Sequence, residues 1–198
     1  MSDPDRTLAR RASRGDRQAV AALYERYRAK LFGYLTRSLG NPALAEDVFQ
    51  EVWIKVMQKI GTYRPSGGTF RAWLFRVAAN AAIDRLRREA VRAGPELDAP
   101  AAEGEERRID HVVSPEPGPE RSGTGRLFAR DLGLAFESLS NRQKSAVLLR
   151  HQQGLSYPEI ARALSVREGT AKTLVHRGIL RLREKLSGWA PSETNDEA

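Results

Sequence analysis

The sequence contains no cysteine, and this absence excludes disulfide bonds and cysteine-ligated metal sites. Its three histidines are scattered along the chain, so we expect no metal site. No apolar run approaches the roughly 18 residues that a membrane-spanning helix needs. A glycine-rich phosphate loop and a Gly-x-Ser-x-Gly nucleophile motif are also absent. These absences predict a protein that is not an enzyme, with no catalytic residues and no cofactor.

Basic charge, in contrast, is present in excess. Lys and Arg number 33 against 25 acidic residues, which gives a formal net charge of +8. Such a surplus favours a polyanionic partner, although it fixes no fold. Residues 1–16 are charged and lack the apolar centre of a secretion signal. We therefore expect a cytoplasmic protein that does not insert into membranes.

The charge is distributed unevenly along the chain. Residues 1–93 carry +9, residues 94–128 carry −4 and residues 129–198 carry +3. The acidic stretch also holds half of the ten prolines, and its hydrophobic periodicity stops, so we expect it to be a disordered linker. The predicted division is a domain at 1–92, a linker at 93–127, a domain at 128–189 and a disordered tail at 190–198.

The N-terminal block contains one predicted helix that is apolar on two sides. Thr69 suits an N-cap, and no helix breaker follows it until Gly94 and Pro95. At about 100° per residue the apolar positions form two arcs, which is typical of a helix packed between other helices. The arcs are Phe70, Trp73, Leu74, Val77 and Ala81, and Phe75, Ala79, Ala82 and Leu86.

A polar stripe runs between these two arcs and consists of Arg76, Asn80, Asp84 and Arg87. A solvated helix face is the simpler interpretation of any four polar residues. Here, however, cations and an amide stand beside aromatic residues, and that combination suits single-stranded nucleic acid.

Two more helices are expected before this one. Asp16 can cap the first, which ends near Gly40, and Asn41 followed by Pro42 begins a second that extends to about residue 60.

One face of this second helix is acidic near its start, and acidic residues there complement the helix dipole. An apolar residue among them favours a partner surface instead. The face in question carries Asp47, Gln50, Glu51 and Ile54.

The loop at 61–68 is either a plain connection or a loop over which a base could be turned out.

The C-terminal block predicts a helix-turn-helix. Ser140 with Gln143 and Ser156 with Glu159 fit capping boxes, which predict helices at 141–152 and 157–164. A third helix follows a short turn and extends to about Leu186. Its open side can donate to base edges and phosphates, although a plain helical hairpin fits the pattern about as well. That side carries Lys172, Thr173, His176, Arg177 and Arg183, and the packed side carries Ala171, Leu174, Val175, Gly178 and Leu182.

Four segments in this order resemble bacterial RNA polymerase sigma factors of the extracytoplasmic-function type. They are residues 15–27, 45–56, 69–88 and 155–183. Each segment alone is moderately specific, but their order and spacing together are strongly so. The resemblance implies an all-α fold of two small helical domains joined by a flexible linker, the second domain with the helix-turn-helix.

The resemblance also implies three partners: core RNA polymerase, promoter DNA and an anti-sigma factor. It implies a role for each of three residue sets. Asp47, Gln50, Glu51 and Ile54 would bind the polymerase clamp. Arg76, Asn80, Asp84 and Arg87 would melt and hold the minus-ten element with the loop at 61–68. Lys172, Thr173, His176 and Arg177 would read the minus-thirty-five element. One departure is Gly178, where the family usually has alanine; it should weaken the helix or permit closer packing.

Two other functions are compatible with parts of the sequence. A helix-turn-helix regulator could bind duplex DNA as a dimer without polymerase, but the sequence suggests no dimer seam and no ligand pocket. A helical adaptor that does not bind DNA would predict an acidic surface, whereas both folded blocks are basic.

Overall fold

The computed structural model describes residues 4–64, 68–92 and 123–189, and every regular element in these ranges is a helix. None of the described helices combines the length and the apolar character needed to cross a bilayer. The predicted tail at 190–198, most of the predicted linker and loop residues 65–67 lie outside the described residues. The helices are α1 (Pro4–Ala12), α2 (Arg17–Leu39), α3 (Pro42–Lys59), α4 (Phe70–Arg92), α5 (Gly123–Glu137), α6 (Asn141–Val147), α7 (Tyr157–Leu164) and α8 (Glu168–Lys185).

The predicted helix ends are confirmed where a capping residue marks them. Asp16 Oδ1 accepts a hydrogen bond from the Ala19 N–H at 3.1 Å and so begins α2. Gly40 ends that helix in the left-handed region at φ 67°, which favours glycine. Asn41 accepts from two amides at the start of α3, where Pro42 takes the first helical position. Thr69 Oγ1 accepts from the Ala72 N–H at 3.2 Å at the start of α4.

Helix α1 is an element that the sequence patterns did not predict. In the sequence this segment is distinguished only by its charge. In the structure Ala9 and Ala12 are buried, and Asp5 accepts hydrogen bonds from Arg26 and Tyr27 of α2. A helix this short with two alanines as its buried residues leaves no apolar stripe in the sequence, so periodicity could not find it.

Helices α1 to α4 pack around an aromatic core. Tyr34, Phe70 and Phe75 are fully buried, and the Tyr34 and Phe75 ring centroids lie 5.4 Å apart at nearly a right angle. Tyr24, which the pattern placed on the packed face of α2, is instead 37% exposed. Helix α4 contacts helices of both halves, so the prediction that it packs on two sides is confirmed.

The C-terminal half has the predicted helix-turn-helix with two additions. Helix α6 continues into a π-helical turn at Leu148–Gln152, and the two together cover the predicted 141–152. Helix α5 begins at Gly123, several residues before the predicted end of the linker. Its Ala135 joins Leu182 of α8 in a small apolar cluster, together with Leu139, which follows α5. Ser165 ends α7 in the left-handed region at φ 53°.

Gly178 of α8 lies where two helices approach closely. It is buried, and a Cβ atom at this position would lie 2.6 Å from Val147 Cγ2 of α6. Real Cβ atoms essentially never approach another atom so closely, so glycine is what lets α8 rest on α6 at this distance. The sequence left open whether Gly178 weakens the helix or permits closer packing, and the structure supports closer packing.

The two halves of the chain share one apolar core. Buried side chains of α2, α3 and α4 form a single continuous cluster with Leu149, Leu155 and Ile160 of the C-terminal half. Helix α4 packs against α7, and α2 packs against α6 and the π-helical turn. Thus the predicted domains lie against one another rather than apart.

Candidate nucleic-acid and polymerase interfaces

The polar stripe of α4 is on the surface. Arg76, Asn80, Asp84 and Arg87 are all exposed, and they recur every three or four residues, so they lie along one line of the helix. The Arg87 Nη1 atom lies 3.9 Å from Asp84 Oδ1, a distance at which an exposed pair contributes little to stability. All four side chains are therefore accessible to a partner.

The stripe leads into a cavity at the start of α4. The cavity has a volume of about 200 Å³, and Arg76 lines it. Tyr63 and Trp73 supply aromatic walls, with their ring centroids 5.9 Å apart. The Tyr63 hydroxyl donates to the Gly68 carbonyl at 3.2 Å and so links the two ends of the loop. The remaining lining residues are Thr62, Arg64, Gly68, Ala72, Glu159 and Arg162.

This combination of groups is chemically suited to an unstacked nucleotide. Aromatic rings offer a stacking surface for a base, and guanidinium groups pair with phosphate. The cavity includes Gly68, at φ 124°, and ends of the loop at 61–68 that was singled out in the sequence. The aromatic pair of Tyr63 and Trp73 was not among the candidate site residues. Its signal was present, because Tyr63 lies within the glycine-containing loop at 61–68 and Trp73 follows that loop closely.

The predicted polymerase-binding set lies together on the outer face of α3. Asp47, Gln50 and Ile54 are exposed, and Glu51 is partly so. Ile54 is 50% exposed, which confirms that it lies off the packed face. Three residues further on, Met57 is 56% exposed, and it extends the apolar part of this face. Sequence reasoning did not select Met57, although its spacing from Ile54 was the available signal.

The acids of this face are linked to α4 by ion pairs. Asp47 Oδ2 lies 3.6 Å from Arg85 Nη2, and Glu51 Oε2 lies 3.9 Å from Arg88 Nη2. Glu51 Oε2 also lies 3.7 Å from Lys55 Nζ. Both acids already have cationic neighbours. Ile54 is therefore the residue of this set whose burial under a partner would contribute most to the free energy of binding.

The predicted duplex-reading residues share the exposed side of α8. Lys172, Thr173, His176 and Arg177 are all exposed. The Thr173 hydroxyl donates to the Gly169 carbonyl at 2.9 Å, within its own helix. Lys172 Nζ lies 3.0 Å from Glu168 Oε1. His176 and Arg177 lie about one turn after Lys172 and Thr173 on the same exposed side of the helix.

Tyr157 is a residue of this region that sequence reasoning missed. The Arg150 guanidinium lies 4.8 Å from the centre of its ring and Lys172 Nζ lies 5.8 Å away. Two cations around one ring form a basic corner at the first turn of α7. No spacing in the sequence indicated this contact, because Arg150 and Lys172 lie on other helices.

A polar contact connects the first turns of α4 and α7. The Thr69 hydroxyl donates to Glu159 Oε1 at 3.3 Å, and Glu159 Oε2 accepts from the Ser156 N–H at 2.9 Å. Burial raises the pKa of Glu159, but the Ser156 and Thr69 hydrogen bonds and the Arg71 charge outweigh burial and hold the pKa below its usual value. Glu159 is therefore ionised at neutral pH.

The three predicted sets lie on three different helices, α3, α4 and α8. Ion pairs join the α3 face to the C-terminal part of α4, and Arg76 of the α4 set lines the cavity. Three surfaces on one small chain suit a protein that contacts several macromolecules at once.

Comparison with known proteins identifies the family. The family model Sigma-70 region 2 matches residues 23–92, and Sigma-70, region 4, matches residues 129–182. The ECF RNA polymerase sigma factor SigE of Mycolicibacterium smegmatis is 33% identical over 93% of this chain and 68% of its own length. SigK of Mycobacterium sp. (strain KMS), also named an ECF RNA polymerase sigma factor, is 31% identical over 90% of this chain and 89% of its own.

A solved structure shares the fold. The sigma factor RpoE of Bartonella quintana, crystallised with the anti-sigma factor NepR, matches 84% of this chain and 97% of its own with a TM-score of 0.64 and 22% identity. The fold and the two matched regions agree with the family that the four sequence segments resemble. The chain belongs to the extracytoplasmic-function sigma factors of RNA polymerase.

Proposed function

We propose that this chain is a transcription initiation factor that binds core RNA polymerase and directs it to specific promoters. The observation that supports this function best is the match of both sigma regions on one chain, with an exposed candidate surface in each. A stand-alone helix-turn-helix regulator gains no support, since the first region would then have no assigned use. In this proposal residues 1–92 bind core polymerase and the minus-ten element, and residues 128–189 bind the minus-thirty-five element.

The polymerase contact in this proposal is the outer face of α3. Ile54 is the anchor that loses water on binding, and Asp47, Gln50 and Glu51 surround it with polar groups. A basic partner surface would complement these acids, and it would compete with Arg85 and Arg88 for them.

The minus-ten contact in this proposal is the α4 stripe with its cavity. Turning a base out of a duplex costs a few kcal/mol of stacking, which an aromatic pocket offsets. The half-buried Trp73 would stack on a base, Asn80 would pair with a base edge, and Arg76 and Arg87 would neutralise phosphates.

The minus-thirty-five contact in this proposal is the exposed side of α8. In the major groove, base edges and phosphates would be contacted by Lys172, Thr173, His176 and Arg177. Control by an anti-sigma factor belongs to the proposal as a property expected of the family.

Run-off transcription tests the function. The purified chain is mixed with bacterial core polymerase and a pool of templates with randomised upstream sequence, and the transcribed templates are sequenced. The proposal expects two enriched elements at a fixed spacing, which appear only when chain and core are both present. Enrichment of a palindrome bound without core would instead indicate the stand-alone regulator.

A further inference from the structure

The N-terminal segment carries exposed arginines to which the proposed function assigns no role. Arg6 and Arg10 lie four residues apart on α1, so they share one line of the helix, and Arg14 lies in the turn directly after it. About 6 Å along the helix axis separates Arg6 from Arg10. We call these three residues the arginine row.

The charge of the arginine row is not neutralised by the acids of its own segment. Asp5 accepts hydrogen bonds from Arg26 and Tyr27 of α2. Asp16 Oδ2 lies 2.8 Å from Arg11 Nη2. Within the part of the chain that the structure describes, no residue of the row forms an ion pair. The row therefore keeps its full positive charge for an anionic partner.

The row stands on a fixed support beside the cavity of α4. Ala9 and Ala12 are buried and hold α1 against its neighbours. The turn after α1 meets the start of the loop at 61–68, because the Ser13 carbonyl oxygen lies 4.0 Å from the Cβ position of Gly61. The next residue, Thr62, lines the cavity. The end of α1 is thus one residue away from the cavity wall.

Two further exposed cations lie at this junction. Lys59 and Arg64 flank the short turn that contains Gly61, and Arg64 also lines the cavity. The Arg64 guanidinium donates to the Gly61 carbonyl at 2.9 Å, so its position is fixed by the same turn that touches α1. Positive charge is therefore continuous from the cavity through the turn to the arginine row.

We propose that the arginine row binds phosphates of the unpaired promoter strand next to the base that the cavity holds. This inference rests on the proposed function. The strand that leaves the cavity is unpaired, and the turn at Gly61 leads it toward α1. Residues 4–14 contain no aromatic side chain that could stack on a base, so the row would add affinity and position without reading sequence.

Replacing Arg10 and Arg14 together with glutamine tests the row. Glutamine is a good helix former, so α1 is kept while two charges are lost. Holoenzyme assembled from the chain and core polymerase is titrated with a promoter template that carries a pre-melted bubble. We expect the affinity to fall by about fivefold at about 0.1 M salt, and the slope of log K against log salt to become less steep by about 1.4, about 0.7 for each lost phosphate contact.

Two controls separate phosphate contacts from net charge. Arg28→Gln with Arg130→Gln removes the same charge from exposed positions on α2 and α5 and should change the affinity and the slope little. A template whose unpaired strand ends at the base in the cavity should bind the wild type and the Arg10→Gln, Arg14→Gln variant equally. Loss of core binding by that variant, measured without DNA, would assign the row to a protein contact and overturn the inference.

Directed cleavage tests where the strand lies. The chain has no cysteine, so Thr7→Cys on the exposed side of α1 can carry a unique iron chelate, attached before core polymerase is added. We expect hydroxyl radicals from the chelate to cut the unpaired strand within a few nucleotides of the minus-ten element. Glu25→Cys, exposed on α2, should not give these cuts. Cuts from Thr7→Cys that fall only on duplex DNA would overturn the inference, as would a complete absence of cuts.

Failure of the proposed function can be told apart from failure of this inference. If the wild-type chain directs no transcription with core polymerase, the proposed function fails. The row is then tested with the chain alone and a fluorescein-labelled single strand of randomised sequence, which Arg10→Gln with Arg14→Gln should bind several-fold more weakly than the wild type does. Equal affinities in that assay, or equal salt slopes with holoenzyme, would show that the row is a solvated face.

Discussion

At the scale of single residues, Gly178 sets how closely two helices approach. Replacing it with alanine improves the helix by about 0.5–1 kcal/mol. It also places a methyl group 2.6 Å from Val147 Cγ2, in a core where overpacking costs about 1–3 kcal/mol. We expect Gly178→Ala to lower the free energy of unfolding by about 1 kcal/mol in urea titrations. Val147→Ala should be less harmful in the Gly178→Ala background than in the wild type, and additive effects would contradict the contact.

Lys144 is a second residue whose environment predicts a measurable effect. It is 8% exposed on α6, and burial lowers its pKa, while the charge of Glu137 opposes that shift. Burial likewise raises the pKa of Glu137, and Lys144 opposes it. Replacing two neighbouring opposite charges in a desolvated site by uncharged groups of similar volume often leaves stability unchanged or raises it.

Lys144→Met combined with Glu137→Gln removes both charges and should leave the free energy of unfolding at neutral pH unchanged or raise it by about 1 kcal/mol. The pKa of Lys144 in the folded state lies below its usual value of 10.5. Between these two pKa values the unfolded state therefore binds more protons than the folded state does. The free energy of unfolding of the wild type should thus rise as the pH increases through that alkaline window. Urea titrations across this range should show the rise in the wild type and a flatter profile in Lys144→Met. Glu137→Gln leaves the buried ammonium group without its neighbour and should destabilise the chain.

At the scale of elements, α3 presents its apolar anchor without needing it for folding. Ile54→Asp should abolish association with core polymerase, measured by gel filtration or fluorescence, while circular dichroism and the urea midpoint change little, because Ile54 is half exposed. Val91→Asp introduces the same charge at a position 73% exposed on α4 and should leave core binding intact. Normal core binding by a folded Ile54→Asp chain would place the polymerase surface elsewhere.

Helix α4 holds its polar stripe on a support that is packed on two sides, which suits precise positioning. Asn80→Ala should spare core binding and duplex affinity but slow promoter opening, as measured by permanganate reactivity of unpaired thymines. A template with a pre-melted bubble should recover part of the rate, because its stacking cost is already met. If Asn80→Ala and Asp84→Ala both open the duplex at the wild-type rate, the stripe is a solvated face.

The elements also show what sequence alone can predict. Caps such as Asp16, Asn41 and Thr69 act within a few residues, so the sequence placed the starts of α2, α3 and α4 correctly. Helix α1 and the basic corner at Tyr157 were missed because they depend on contacts between distant segments. The pairing of α4 with α7 was missed for the same reason. Two apolar arcs indicated that α4 has partners on both sides, but periodicity does not say which helices they are.

At the scale of the whole molecule, the shared core makes each half depend on the other. Leu149, Leu155 and Ile160 are completely buried and belong to the same cluster as the side chains of α2 and α4. When the halves separate, part of this apolar surface meets water, at a cost of about 25 cal/mol per Å². The connection at 93–122 keeps one half at high effective concentration near the other, so the contact forms within the molecule.

Cutting that connection should make stability depend on concentration. A protease site inserted within residues 93–122 allows the chain to be cleaved after it has folded. We expect the urea midpoint of the cleaved chain to rise with protein concentration, because association of the halves stabilises the folded state by mass action. The midpoint of the intact chain should not change.

Tryptophan fluorescence can follow both transitions. Trp73 lines the cavity at the contact, and Trp189 lies in the C-terminal half, where its indole N–H donates to Asp131 at 2.9 Å. If the cleaved and intact chains unfold at the same midpoint at every concentration, the halves are independent units and the shared core contributes nothing to their stability.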